Sequence, residues 1–416
     1  MSSLSFASLA RNIKHYRSLL NLARKAQATT GKSLLQQLQE FGVLRRYPNK
    51  ILAPEYFHLG LYEKPLAEAR RFIGQSMQVR LDALLNNSTW RALVQDKLVF
   101  HFAMTAAGLP VPGIQAAYLC DGRRYQTIPT FERGKDLARF MAEEMTFPCF
   151  AKVIYGAHGN GSARLESYDP ASQRLTTHEG EGILLSDFLA TKPCREGLGY
   201  LFQDLLLPHS CLRDLTGPAL SGFRIIVAMT QSGPRIVRSV FKVVTAGNVM
   251  DHMVNNDLSS TGNLSAILDS DDGTIVKVGR GTGFDLEQMQ NHPDSGRPLV
   301  GARIPEWGAI KDTILTAARH FAGCRLQFWD ACLTETGPIL LEVNTNGSIV
   351  GAQGVFLEGF LTDEFQYFLA EQKLDLESKA VQNLAERLCR ARSDAFQMDH
   401  LTRAPESLLG SKLAAW

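Results

Sequence analysis

The sequence predicts an α+β fold: a helical amino-terminal region, then a lobe of strands and helices, then a second sheet with helices on one side. Two observations carry this. Before Pro110, apolar residues recur at three- and four-residue steps. After Pro112, short β-rich runs and then the longer runs GYLFQDLLL, FRIIVAMT and RIVRSVFKVVT follow without regular βαβα alternation. The early strand–GxGxxG–helix opening of a dinucleotide fold is missing.

The elements follow in order. Residues 4–25 read as a basic amphipathic helix, with Leu4, Leu9, Ile13, Tyr16 and Leu20 on one stripe. Arg11, Lys14, Arg17, Arg24 and Lys25 fill most of the remainder. Helical pieces follow near 32–42, 65–85 and 96–107, the last ended by Pro110 and Pro112. Strands are expected at 114–119, 125–128, 148–155 and 162–167, with a helix at 134–145 that lines up Leu137, Phe140 and Met141. From 199 the chain is strand-like, and TQSGP at 230–234 is a hairpin turn. Residues 252–300 are polar and rich in Gly and Asp, hence mostly loop with short strands. A helix at 306–322 carries Trp307, Ile310, Ile314, Ala318 and Phe321; strands at 324–333 and 338–344 and helices at 356–370 and 375–396 close the fold. The final residues read as a tail. The expected divisions are 1–85 (helical and basic), 86–198, 199–370, and 371–416 (helix and tail).

Composition narrows the class. The 416 residues are 45% hydrophobic and 21% charged, which excludes general disorder; 34 Gly and 17 Pro scatter without period, which excludes collagen and coiled coil. Net charge is only +2, but residues 1–50 hold nine Lys or Arg and a single Glu. Such a leader can meet an anionic membrane, a nucleic acid or an acidic surface, or be a solvated helix. Seven cysteines, none in a CxxC pair, read as free thiols of a reducing cytoplasm. No charged n-region with an apolar run opens the sequence, and no apolar run approaches eighteen residues, so neither a secretory signal nor a transmembrane segment is expected.

Five segments carry candidate chemistry. FAKVIYGAHGNG (150–161) delivers Lys152 on a strand and then Gly156, Gly159 and Gly161 in a tight loop. Backbone N–H groups of such a loop can approach phosphate oxygens, although a plain hairpin would look the same. In RLQFWDACLTETGPILLEVNTNG (325–347), Glu342 and Asn344 share one strand face, and the short turn at 335–337 brings Asp330 roughly opposite Glu342. Two carboxylates and an amide oxygen suit Mg²⁺ bridging to phosphates; a solvent-facing polar strand is the alternative. GYLFQDLL (199–206) sets Gln203 and Asp204 in an apolar strand that could meet a base edge or be ordinary structure. Arg224, inside FRIIV, must face an anion or a paired carboxylate. Lys97, in QDK at a helix start, reads alone as surface.

Taken in order, these pieces resemble the ATP-grasp superfamily, in detail the sugar-transfer-associated ATP-grasp proteins, from about Asn86 to Ala370. QDK at 95–97, Gln203 with His209, FR at 223–224, HPDSG at 292–296, IPEW at 304–307 and WDACLTETGPILLEVN at 329–344 carry the likeness. The resemblance implies an ATP-grasp fold that holds the nucleotide between two α+β lobes. It implies that Lys97 and Lys152 touch ATP phosphates beneath a loop holding Gly156, His158, Gly159 and Gly161. Gln203, Asp204 and Leu205 would hold adenine, Arg224 would face the transferred phosphate, and Asp330, Glu342 and Asn344 would hold two Mg²⁺ ions. Lys242 and Asp251-His252 stand where the subgroup carries an arginine and an Asp-Asn pair, and no double glycine follows; Lys242 and His252 are therefore expected on the acceptor side.

The expected activity is an ATP-dependent ligase joining a small-molecule carboxylate to an amine. The alternative is a phosphotransferase acting on a hydroxyl of a small molecule. A nucleotide-regulated module without turnover fits poorly with an intact set of two lysines, an arginine and three metal ligands. Nucleic acid is not an expected partner, because the basic leader has no aromatic platform beyond Tyr16. The leader is expected to pack onto the rest of the enzyme or onto a second subunit, as in a homodimer, with weak peripheral membrane contact through the first helix as the alternative.

Overall fold

A computed structural model of the chain describes residues 6–156, 159, 161–196, 198–245, 248 and 262–403. It forms two units. One joins Met1–Phe57, Leu61–Thr89 and Gly359–Trp416; the other joins His58–Gly60 and Trp90–Glu358.

The first unit is helical. The leader forms helix Phe6–Thr30, longer than the expected 4–25, and is followed by Leu34–Leu44. Ser33 caps the second helix, with its side chain accepting from Gln36 N while Gln36 reaches back to Ser33 N. The helix expected over 65–85 is two helices, Leu66–Ala69 and Gln75–Leu85. Gly74 separates them where a Cβ would lie 2.6 Å from the Lys50 carbonyl oxygen. Helix Lys379–Arg403 packs on Gln75–Leu85. There Asp82, 5% exposed, accepts from Arg392 Nη1 at 2.7 Å, and Glu386 accepts from Arg80, Tyr47 and Lys50. The expected helix 356–370 is also two, Ile349–Phe356 in the second unit and Asp363–Glu371 in the first. Phe360 and Leu361 are buried between them in sequence, and Leu361 N bonds to the Arg71 carbonyl instead of a helical partner.

The second unit holds two seven-stranded sheets. The strands in chain order are β1 (Ile114–Leu119), β2 (Thr130–Phe131), β3 (Cys149–Val153), β4 (Ala163–Asp169), β5 (Arg174–Thr177), β6 (Gly182–Leu184) and β7 (Gly199–Asp204). Then follow β8 (Gly222–Thr230), β9 (Gly233–Val243), β10 (Leu264–Leu268), β11 (Ile275–Arg280), β12 (Glu287–Met289), β13 (Leu326–Thr334) and β14 (Gly337–Asn344). The first sheet runs β2-β1-β7-β3-β4-β5-β6 and the second β12-β11-β10-β9-β8-β13-β14. The strand expected at 125–128 is not formed. Its place is taken by β2, paired in parallel with β1, where Ala117 N donates to the Pro129 carbonyl.

β7 is a central strand between β1 and β3, so the chain crosses to the second sheet after Asp204. Gly199 makes this close packing feasible. Its φ is 116°, and a Cβ there would lie 1.9 Å from the Tyr118 carbonyl oxygen of β1. One face of the first sheet packs Cys149, Ala151, Tyr200 and Phe202 against Leu137 and Met141 of helix Gly134–Glu143. Alternation therefore turns Phe150, Lys152, Leu201 and Gln203 to the other face. In the second sheet Phe223, Ile225, Phe241 and Trp329 pack with Ile310 and Ile314 of helix Trp307–Ala318. The same alternation turns Gly222 and Arg224 to the opposite face.

Candidate functional site

The motif QDK stitches a helix start to the end of β3, each residue by a different group. Gln95 Oε1 accepts from the Tyr155 hydroxyl, and Asp96 forms an isolated antiparallel bridge with Tyr155. The Asp96 side chain caps helix Lys97–Ala106 by accepting from Leu98 N and Val99 N, and it also pairs with Arg123 at 2.6 Å. Lys97 is 9% exposed, so it is not a surface lysine. Its Nζ donates to the Gly156 carbonyl at 2.9 Å and lies 3.8 Å from Glu342 Oε2. The end of β3, Tyr155 and Gly156 are thus tied to the helix that presents the first lysine.

Lys152 leaves β3 on the face shared with Phe150 and reaches the second sheet, its Nζ 3.5 Å from the Leu341 carbonyl of β14. Burial, and then the Lys97 charge, bring its pKa down to about 8 against the raising pull of Glu342 and Asp330.

In the second sheet, three directly opposed residues on three neighbouring strands form a row. Arg224 of β8 faces Asp330 of β13, which faces Glu342 of β14. Of its two possible partners, an anion or a carboxylate, Arg224 meets a carboxylate here. Nε donates to Asp330 Oδ1 at 2.6 Å and Nη2 to Oδ2 at 2.7 Å. Lys242, diagonal to Arg224 on β9, approaches the same Oδ1 at 3.2 Å. Asn344, two residues after Glu342, donates its amide to Glu342 Oε1 at 2.9 Å. This leaves Asn344 Oδ1 without a donor among the described residues.

The two faces enclose a cavity of about 630 Å³ within the second unit. It gathers Lys97, Lys152, Gly156 and Gly159 with Gln203, Asp204 and Leu205. Arg224, Lys242, Asp330, Glu342 and Asn344 line it from the second sheet. Gly161 does not line it, and His158 and His252 lie outside the described residues. Gln203 is 5% exposed, whereas Asp204 sits at the rim and accepts from Gln115 Nε2 at 2.9 Å. At the Asp330 end, four lysine or arginine side chains surround two carboxylates. That excess of positive charge suits a polyanion.

The donor set also bears on metal. Among the described residues no group of three or more His, Cys, Asp or Glu side chains gathers as a cage. Two carboxylates and a free amide oxygen fit Mg²⁺, which is held by one or two carboxylates together with substrate phosphates.

Among the cavity residues that sequence reasoning missed are Arg164 and His178. Arg164 of β4 lies directly across from Phe150, which in turn faces Gln203, so the three form a row across the first sheet. His178, just past β5, lines the same end; Glu166 pairs with both Arg164 and His178 at 2.8 Å. Alternation in ARLESYD put Arg164 and Glu166 on one face, but which face met the cavity depended on pairing with β3.

The chain matches the family described as sugar-transfer associated ATP-grasp over residues 76–364. No curated protein matches it. Similar solved structures include VanG D-Ala:D-Ser ligase from Enterococcus faecalis, 10% identical with a TM-score of 0.39 over 68% of this chain and 64% of that one. Biotin carboxylase from Campylobacter jejuni is 11% identical with a TM-score of 0.40, over 72% of this chain and 50% of that one. L-amino acid ligase from Bacillus licheniformis is 12% identical with a TM-score of 0.35, over 63% and 43% respectively. The matched region spans less than two-thirds of each of these chains.

Proposed function

The chain belongs to the sugar-transfer-associated ATP-grasp family, and from that premise we propose that it is an ATP-dependent carboxylate–amine ligase working through an acyl phosphate. The observation that carries this reading is the Arg224–Asp330–Glu342 row, set with Lys97, Lys152 and Lys242 around one cavity. A cation cluster that outnumbers its carboxylates, beside hard oxygen donors, supports a site for a polyphosphate with Mg²⁺.

The residue roles in this reading are those that the family resemblance implies. Gln203, Asp204 and Leu205 hold the adenine end, while Lys97 and Lys152 neutralise phosphates beneath the segment bearing Gly156, Gly159 and Gly161. Asp330, Glu342 and Asn344 would hold the Mg²⁺ ions, which would supply neutralisation of phosphate charge. The substrate carboxylate oxygen attacks the γ-phosphorus and ADP leaves. An amine nitrogen then attacks the acyl carbon, phosphate leaves, and the nitrogen sheds a proton. The Arg224 fork steadies charge growing on the transferring oxygens, with Lys242 keeping Asp330 neutralised as the guanidinium shifts its bonds. Lys242 and His252 belong to the acceptor side in this reading. The products belong to small-molecule, peptide or polysaccharide-related biosynthesis, and seven free cysteines support a cytoplasmic setting.

ADP release against a panel of carboxylic acids, with and without hydroxylamine, tests the proposal. A trapped hydroxamate supports an activated acyl group. ADP release with a phosphorylated hydroxyl product and no hydroxamate would replace the ligase with a kinase.

A further inference from the structure

The first unit presents an unusual surface. Helix Phe6–Thr30 contains Arg11, Lys14, Arg17, Arg24 and Lys25 and no acidic residue; the first acid of the chain is Glu40. Arg17, Leu20 and Arg24 follow one another at three- and four-residue steps and are exposed, Leu20 by 42%. On the next helix, Leu34–Leu44, Leu35 and Leu38 are 64% and 65% exposed and Leu34 is exposed beside them. These leucines are not loosely held. Buried Gln37 donates to the Ala23 and Lys32 carbonyls, both at 3.0 Å, and locks the second helix onto the first. At about 100° per residue, Leu34 and Leu38 sit about 60° and 100° from Gln37 and Leu35 about 160°, so all three lie off this buried line.

From these features we infer that the helix pair is a docking surface for an anionic phospholipid bilayer. Exposed leucines can enter the acyl boundary while the arginines meet headgroup phosphates, which is the chemistry of an interfacial helix. A second copy fits worse, because an isologous contact would set the arginines of the acid-free first helix against themselves. Single-stranded nucleic acid calls for aromatic platforms, and among the described residues of these two helices the exposed large apolar side chains are leucines with Tyr16.

The test is flotation of the full chain with vesicles of phosphatidylcholine alone or with about one-third phosphatidylserine. The expected result is binding to the anionic vesicles only, weakened by salt. The double variants Arg17→Glu/Arg24→Glu and Leu35→Ser/Leu38→Ser should each bind at least about tenfold more weakly. If the leucine variant melts early, the arginine variant, which alters only exposed side chains, decides. Equal binding to neutral vesicles, no binding, or wild-type binding by the arginine variant overturns the inference. So does light scattering that shows a dimer abolished by Leu35→Ser/Leu38→Ser, which would assign the surface to a second copy.

Discussion

Arg224 and Asp330 stand directly opposite one another on β8 and β13, and the guanidinium grips both carboxylate oxygens, at 2.6 and 2.7 Å. Asp330 is 5% exposed, so burial alone would raise its pKa. The Arg224 and Lys242 charges overturn that and hold the carboxyl well below the usual range. Its folded pKa is thus depressed. The stability it contributes is fully present above the unfolded value of about 3.9 and is lost only as pH falls through the folded one. The pair therefore stays ionised across the working range, and pH changes near neutrality do not switch it.

Substitution of Arg224 separates its two roles. Arg224→Lys should lower turnover by roughly two or more orders of magnitude, since one ammonium cannot reproduce a two-point fork. Its fold should survive, because Lys242 remains 3.2 Å from Asp330. Arg224→Met removes the charge altogether and should destabilise by about 2–3 kcal/mol, less than the 3–5 of a fully buried broken pair. Steady-state kinetics and urea unfolding on the two variants check this. Wild-type turnover in Arg224→Lys would take Arg224 out of the chemistry and leave it a structural partner of Asp330.

Glu342→Gln is a cleaner probe of the metal set. The glutamine oxygen can still accept from Asn344, so the local hydrogen bond at 2.9 Å survives, and only the charge near Lys97 is lost. Turnover should fall by roughly two orders of magnitude or more, most steeply at limiting Mg²⁺, with little change in melting temperature. Near-normal turnover at limiting Mg²⁺ would remove Glu342 from the set.

Local pattern made some of this site legible and not the rest. The short turn made the rough opposition of Asp330 and Glu342 legible, but the two-residue turn Glu335-Thr336 by itself sets Asp330 against Leu341, and it is a register shift between Asp330 and Ala331, with no local signal in the sequence, that brings Glu342 there. Lys152 and its glycine segment were visible because an apolar strand ends there. The pairing of Arg224 with Asp330 was hidden because β8 and β13 lie far apart in sequence, and no local signal names a strand's distant neighbour. The burial of Lys97 was hidden for the same reason: what covers it is the Gly156 carbonyl at the end of another element. Helix Ile349–Phe356 lay in the glycine-bearing run IVGAQGVF, where weak propensity outweighed the Ser348 cap, whose side chain accepts from Gly351 N at 3.0 Å.

Stability in the first sheet hinges on Gly199. Gly199→Ala forces an L-residue to φ 116° and drives a methyl to 1.9 Å from the Tyr118 carbonyl oxygen. The backbone strain and the clash together should cost roughly 3 kcal/mol. Because β1 and β7 must part to relieve it, Gln203 at the far end of β7 moves too. Denaturant unfolding should show the loss; a variant as stable as the parent would mean that β1 and β7 are not paired in this register.

Lys152 gives the site a pH signature of its own. Burial and the Lys97 charge hold it at about 8, so in the free protein at about pH 9 it is mostly neutral. A polyphosphate beside it favours the ammonium, so ATP binding should draw a proton from solvent. ATP affinity should then be flat below about pH 8 and fall above it, approaching tenfold per pH unit at the limit. Calorimetry at about pH 9 in buffers of different ionisation enthalpy should report uptake approaching one proton per ATP. Lys152→Met should bind ATP more weakly with neither the slope nor the uptake. The variant also tests the sign in the absence of nucleotide. Between about pH 8 and 10.4 the unfolded lysine holds a proton that the folded one has lost, so this group makes wild-type stability rise with pH. That rise should vanish in Lys152→Met. If it vanishes while ATP affinity in the wild type stays independent of pH, Lys152 is a buried lysine of the fold, and the phosphates lie elsewhere.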